Sequence, residues 1–122
     1  GLAGGYGLTR LSTRDERKYL RAGALILANA NLKAALENLR LELREGDPAP
    51  AAIEEAIRLA KGLEAQLPSE PAEEAKAVNK ALGALTPAIE RRDRVGLESA
   101  GTNLDQAVGE LVGRMSKDAK IR

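Results

Sequence analysis

Five basic residues near the start of the chain form its densest group of like charge. They are Arg10, Arg14, Arg17, Lys18 and Arg21. Cations in the first turns of a helix oppose the helix dipole, so their position favours a role in binding rather than in folding. Such a group fits an acidic protein surface or an anionic lipid surface. The alternative is a solvated helix start that Asp15 and Glu16 partly neutralise.

The end of the chain adds three cations, which are Lys117, Lys120 and Arg122. If four helices alternate in direction, the end of the last helix lies beside the start of the first. We therefore predict one partner-binding surface, called the basic surface below. It consists of Arg10, Arg14, Arg17, Lys18, Arg21, Lys117, Lys120 and Arg122.

Another basic cluster lies near the third connection between helices. It contains Arg91, Arg92 and Arg94. Alternating helices bring this connection to the same end as Glu45 and Asp47. We therefore expect these arginines to form salt bridges between loops rather than a binding site.

Several kinds of catalytic site are excluded because the chain has no histidine and no cysteine. Disulfides, histidine and cysteine zinc sites, and Ser-His-Asp or Cys-His catalysis all require those residues. Adjacent carboxylates occur at Glu54-Glu55 and Glu73-Glu74, but neighbours on a helix point about 100° apart and do not form a close acid–base pair. No glycine-rich loop follows a strand pattern, so a phosphate-cradling fold is excluded too. We expect no enzyme activity, no metal and no cofactor.

Composition narrows the class of protein further. The chain has 122 residues, enough for one domain, and its 43% hydrophobic residues include only 2% aromatic ones. The core must therefore consist of Leu, Ile, Val and Ala. A net charge of +1 lacks the basic excess of a nucleic-acid-binding domain. Since no apolar run approaches the roughly 18 residues of a membrane span, we expect a protein peripheral to any membrane.

Apolar residues spaced three or four apart predict four helices. They are expected near residues 13–45, 50–67, 70–92 and 94–115. Pro68 ends the second helix, and Ser69 and Asp93 are the predicted N-caps of the third and fourth. Pro87 inside the third helix predicts a kink near residues 83–87.

Short connections between amphipathic helices favour antiparallel neighbours. The predicted fold is all-α, an antiparallel up-down-up-down four-helix bundle over residues 12–116. A flexible N-terminal arm of residues 1–11 precedes it, and a polar tail of residues 117–122 follows it. Nine residues should be almost fully buried: Leu32, Leu36, Leu39, Val78, Leu82, Leu85, Leu104, Val108 and Leu111.

The second half of the chain carries a recognisable succession of motifs. Ile89-Glu-Arg-Arg-Asp93 precedes Leu97 and Ala100, and Asn103-Leu104-Asp105 follows before a final apolar turn. This succession resembles the last two helices of the PsbQ-like extrinsic subunits of photosystem II. The end of the first helix at Arg44-Glu45-Gly46-Asp47 is similar to the Gly-Asp stop of that family's first helix.

The resemblance implies a non-catalytic subunit that docks on the lumenal face of photosystem II and stabilises the oxygen-evolving complex. It implies the thylakoid lumen as the location, reached by a removed transit peptide, at the periphery of the membrane. The partners would be acidic membrane-protein subunits of the photosystem core, or other extrinsic subunits. The residues leave a second class open, a periplasmic ligand-sensing or adaptor four-helix module of a bacterial receptor.

Overall fold

The computed structural model of the chain describes residues 13–118, together with their side chains except those of residues 13–16, 18 and 118. The predicted N-terminal arm therefore lies outside the described residues. Within that range the chain forms four α-helices and no strand, as the sequence predicts for an all-α fold. They are α1 (Thr13–Glu45), α2 (Pro50–Ala65), α3 (Ala72–Glu90) and α4 (Arg94–Asp118).

The helix bounds agree with the predicted ones to within three residues. Helix α2 ends at Ala65 and helix α3 ends at Glu90, each two residues before its predicted end. It extends α4 to Asp118, so Lys117 belongs to a helix rather than to the predicted polar tail. The chain leaves the helical conformation between residues 66 and 71, as Pro68 predicts.

Of the two predicted N-caps, one is right and one is wrong. The Asp93 carboxylate accepts a hydrogen bond from the Gly96 N–H at 3.1 Å and so caps α4. Ser69 does not cap α3, because Pro71 occupies the N-cap position and no side chain caps that helix. The proline ring fixes φ near the observed −68°, and the helix begins only after it, beyond the reach of Ser69.

Pro87 lies inside α3 without ending it. The helix continues through Pro87 to Glu90, although proline cannot donate to the carbonyl oxygen of Gly83. Thr86, the residue before it, donates its hydroxyl to the Leu82 carbonyl oxygen at 3.2 Å. The helix thus tolerates the missing backbone bond, and the kink stays a prediction.

The four helices pack as a ring, in which α1 and α3 each contact α2 and α4. In the described range, no Cα atom of α1 lies within 8 Å of one in α3, and none of α2 lies within 8 Å of one in α4. All nine predicted core residues are buried, with at most 7% of their surface exposed. The described core contains aliphatic side chains and Met115 but no polar side chain, so burial of apolar area stabilises the bundle.

Polar side chains connect the helices at the rim of this core. Asn29 of α1 donates to Asp105 of α4 at 3.2 Å, and Lys33 lies 3.4 Å from the other oxygen of that carboxylate. Farther along, Arg40 and Glu98 approach to 3.9 Å. These contacts are half-exposed, so each contributes little to stability and mainly fixes which residues of α1 and α4 face each other.

Candidate functional site

The structure describes part of the predicted basic surface. Three of its members have described side chains, and all three are exposed: Arg17, Arg21 and Lys117. Two more lie on α1 with side chains outside the description: Arg14 and Lys18. The remaining three lie outside the described residues: Arg10, Lys120 and Arg122.

The bundle core reaches the helix segments that carry these cations. Ala22 directly follows Arg21 and is 3% exposed, and Met115 lies two residues before Lys117 and is also 3% exposed. The backbone beside Arg21 and Lys117 is therefore packed into the core. A cation on a packed helix loses less conformational freedom on binding than one on a free chain.

The three described cations of the basic surface form no ion pair with any described carboxylate. Arg17, Arg21 and Lys117 have no carboxylate within 4.0 Å among the described side chains. On the neighbouring turn of α4, by contrast, Arg114 pairs with Glu74 of α3 at 3.5 Å. The pairing compensates the charge of Glu74, so this carboxylate opposes the basic surface less than its sequence position suggests.

The arginine cluster at the turn from α3 to α4 behaves differently from the prediction. Arg91, Arg92 and Arg94 are exposed, and no described carboxylate lies within 4.0 Å of them. The expected salt bridges with Glu45 and Asp47 are therefore wrong. All five side chains are exposed, and a solvated ion pair gains too little to hold two long side chains together.

The same turn borders a cleft that the sequence analysis did not find. Its volume is about 240 Å³. Its walls consist mainly of small and polar residues: Ala84, Pro87, Ala88, Arg91, Asp93, Gly96, Ser99, Ala100 and Asn103. Gly96 lets the two helices approach closely here, because a Cβ atom at this position would lie 3.2 Å from the Ala88 Cβ and 2.6 Å from an Asp93 oxygen.

The chemistry available in the cleft is limited to hydrogen bonding and two opposite charges. The charges are those of the Arg91 guanidinium and the Asp93 carboxylate, of which one oxygen caps α4, and the Ser99 hydroxyl and the Asn103 amide are the other polar groups. The chain has no histidine to activate the hydroxyl. In the range that the structure describes, no group of three carboxylates could hold a metal ion.

A further charged pair lies on α2. Arg58 hydrogen-bonds to Glu55, and this bond and the adjacent negative charge raise the pKa of Arg58. This pair is exposed on the outside of α2 and is an ordinary contact between successive helical turns. It belongs neither to the basic surface nor to the cleft.

Among the described helices, none has both the length and the apolar character that crossing a membrane requires. Comparison with protein-family models gives no match for this chain, and comparisons with curated proteins and with solved structures give none either.

Proposed function

We propose that the chain is a non-catalytic docking subunit, and that its basic surface binds an acidic protein partner. The observation that carries the proposal is a set of exposed cations that form no ion pair with a described side chain, on helix segments next to the core: Arg17, Arg21 and Lys117. We propose the lumenal face of photosystem II as the partner because the sequence resembles PsbQ-like extrinsic subunits. The proposed location is accordingly the thylakoid lumen, at the periphery of the membrane.

The proposal includes an antiparallel, up-down-up-down arrangement of the helices. The contacts between α1 and α4 support it, because Asn29 meets Asp105 whereas Arg40, farther along α1, meets Glu98, which is earlier on α4. The numbers in these two pairs sum to 134 and 138. A Cβ atom at Gly101 of α4 would lie 3.9 Å from the Leu36 side chain of α1, and these two numbers sum to 137, which fits the same register.

This register brings the two parts of the basic surface together. A sum of 134 to 138 sets Arg21 level with residues 113–117, and it sets Arg17 level with the end of α4, from Lys117 onward. Lys117 is then a neighbour of both arginines across the α1–α4 contact. A partner that carries several carboxylates can meet cations from both helices at once.

Electrostatic docking of this kind has a defined sensitivity to salt. Exposed charges are screened over about 8 Å at physiological ionic strength, and over about 3 Å at 1 M. The proposed arrangement also brings the start of α3 to this end of the bundle, with Glu70, Glu73 and Glu74, and Glu74 pairs with Arg114. We therefore expect binding that is specific at low salt and lost at high salt.

The experiment compares two variants of equal charge. In one, Arg17, Lys18 and Arg21 of the basic surface are all changed to Ser. In the matched control, Arg91, Arg92 and Arg94 of the opposite turn are all changed to Ser, which removes the same three positive charges. Each protein is sedimented with photosystem II membranes at low salt and at about 1 M salt.

The wild type and the control should sediment with the membranes at low salt and stay in solution at high salt. The basic-surface variant should stay in solution at both, with unchanged helicity. Equal binding by the basic-surface variant and the wild type at low salt would contradict the proposed surface. Failure of the wild type to bind these membranes would contradict the proposed partner.

A further inference from the structure

We infer that the outward side of α1 is a self-association surface, on which α1 of a second copy of this chain packs in the opposite direction. The inference is independent of the proposed docking function. It rests on a stripe of exposed apolar residues along α1, called the outer stripe below. Its members are Leu20, Leu27, Ala34 and Leu41.

The four residues of the outer stripe recur every seven positions over three intervals. The leucines are strongly exposed, at 74% for Leu20, 63% for Leu27 and 55% for Leu41. A seven-residue repeat keeps side chains on the seam between two helices that coil around each other. A bundle of four helices does not need this repeat, because the other side of α1 already faces the core.

The part of α1 around Leu27 is free of charge. Residues 22–32 include no Asp, Glu, Lys or Arg. Gly23, Ala24 and Ala30 are exposed within that segment, and their small size permits a second helix to approach closely. By contrast, the exposed side of α2 carries Arg58 and Lys61, as expected of a surface that stays in water.

The charges at the two ends of α1 indicate the occupant and its direction. Residues 13–21 contain four basic and two acidic residues, whereas residues 37–47 contain two basic and four acidic ones. The net charges are therefore +2 and −2. Two copies of α1 in opposite directions place each positive end beside a negative end, whereas two parallel copies place like charges together.

The spacing of the outer stripe is also compatible with a two-fold axis. Leu20 and Leu41 sum to 61, and so do Leu27 and Ala34. A two-fold axis near residues 30 and 31 thus sets each Leu27 against the Ala34 of the second copy, a large side chain against a small one. A two-fold interface is self-complementary in this manner.

The expected dimer is a weak one. From Leu20 to Leu41 the outer stripe runs about 32 Å, at 1.5 Å per residue. One helix face of that length is smaller than the standard interface of about 800 Å² per partner. We therefore expect monomer and dimer to exchange with protein concentration.

The test is sedimentation equilibrium over about 1 µM to 1 mM protein, where weak association becomes visible. The wild type should shift from monomer toward dimer across this range. Leu27→Glu, in the centre of the outer stripe, should remain monomeric with unchanged helicity and melting. The matched control is Val95→Glu, since Val95 is 78% exposed on α4, away from the outer stripe, and this variant should dimerise like the wild type.

A wild type that stays monomeric throughout, or a Leu27→Glu variant that dimerises like it, would overturn the inference. Direction is tested by cysteine cross-linking, since the chain has no natural cysteine. Ala24→Cys mixed with Asn38→Cys should form a mixed disulfide on oxidation, because their numbers sum to 62. A disulfide between two Ala24→Cys copies would indicate parallel packing and contradict the proposed direction.

Discussion

Leu25 and Leu27 are two residues apart on α1, yet Leu25 is fully buried and Leu27 is 63% exposed. The same contrast extends along the helix, where Leu32 and Leu39 are fully buried and Leu41 is 55% exposed. Apolar residues of α1 thus occupy both its core-facing side and its outward side. The bundle core accounts for the first group only, and the second group forms the outer stripe of the proposed dimer.

The largest expected effect comes from a direct comparison of these two sides. Leu25→Ala should lower the free energy of unfolding by about 2–5 kcal/mol, because it removes buried methyl groups and leaves a cavity. Leu27→Ala, the matched control, should change it by less than about 0.5 kcal/mol when the protein is monomeric. Urea denaturation at low protein concentration measures both. Similar losses in the free energy of unfolding for the two variants would contradict the distinction between the core-facing and outward sides of α1.

A smaller effect on stability is expected at the helix starts, where Asp93 caps a helix and Ser69 does not. Asp93→Ala should cost about 0.5–2 kcal/mol, because the Gly96 N–H loses its acceptor. Ser69→Ala should be nearly neutral, since Ser69 caps no helix. Thermal melting of the two variants side by side checks this. A larger loss for Ser69→Ala than for Asp93→Ala would contradict the assigned start of α3.

The smallest effect is expected at the rim between α1 and α4. Asp105→Ala removes the acceptor for Asn29 and the ion pair with Lys33. Because these groups are half-exposed, the expected cost is about 0.2–1 kcal/mol, and it should decrease with added salt. Asp47→Ala is the control, since Asp47 has no hydrogen bond or ion pair among the described residues. Equal melting temperatures for the two variants would show that the rim contact does not contribute to stability.

The sequence predicts the core correctly because burial leaves a periodic signal. The spacing of Leu32, Leu36 and Leu39 gives the inward side of α1 directly. The outer stripe leaves a signal as well, an apolar residue every seven positions. The sequence-based prediction does not include it, because that prediction assigns one apolar side to each helix. Residue type alone also cannot decide between Ser69 and Asp93, because the position of Pro71 determines where α3 begins.

The cleft between α3 and α4 could not be predicted from the sequence. Gly96 and Ala88 are unremarkable in sequence, and only the packing of the two helices brings them together. The basic surface is an intermediate case, since its residues are predicted from the sequence but their exposure is not. Its cations are evident from their density in the sequence, and the structure adds that Arg17, Arg21 and Lys117 are exposed and without an ion pair to a described side chain.

The two proposals are linked through the first turns of α1. A dimer through the outer stripe sets the positive start of each α1 beside the negative segment 37–47 of the other copy. Part of the basic surface is then neutralised, so docking and self-association should compete. Binding to an acidic partner is therefore best measured at protein concentrations where the chain is monomeric.

Lysine footprinting tests the central claim most directly, because it reports which face of the bundle contacts the partner. The chain is acetylated free and bound to photosystem II membranes, and modification of each lysine is measured by mass spectrometry. Lys18, Lys117 and Lys120 of the basic surface should be protected on binding, whereas Lys33 and Lys80, exposed elsewhere on the bundle, should react as in the free protein. Protection of Lys33 or Lys80 without protection of the basic-surface lysines would contradict the account.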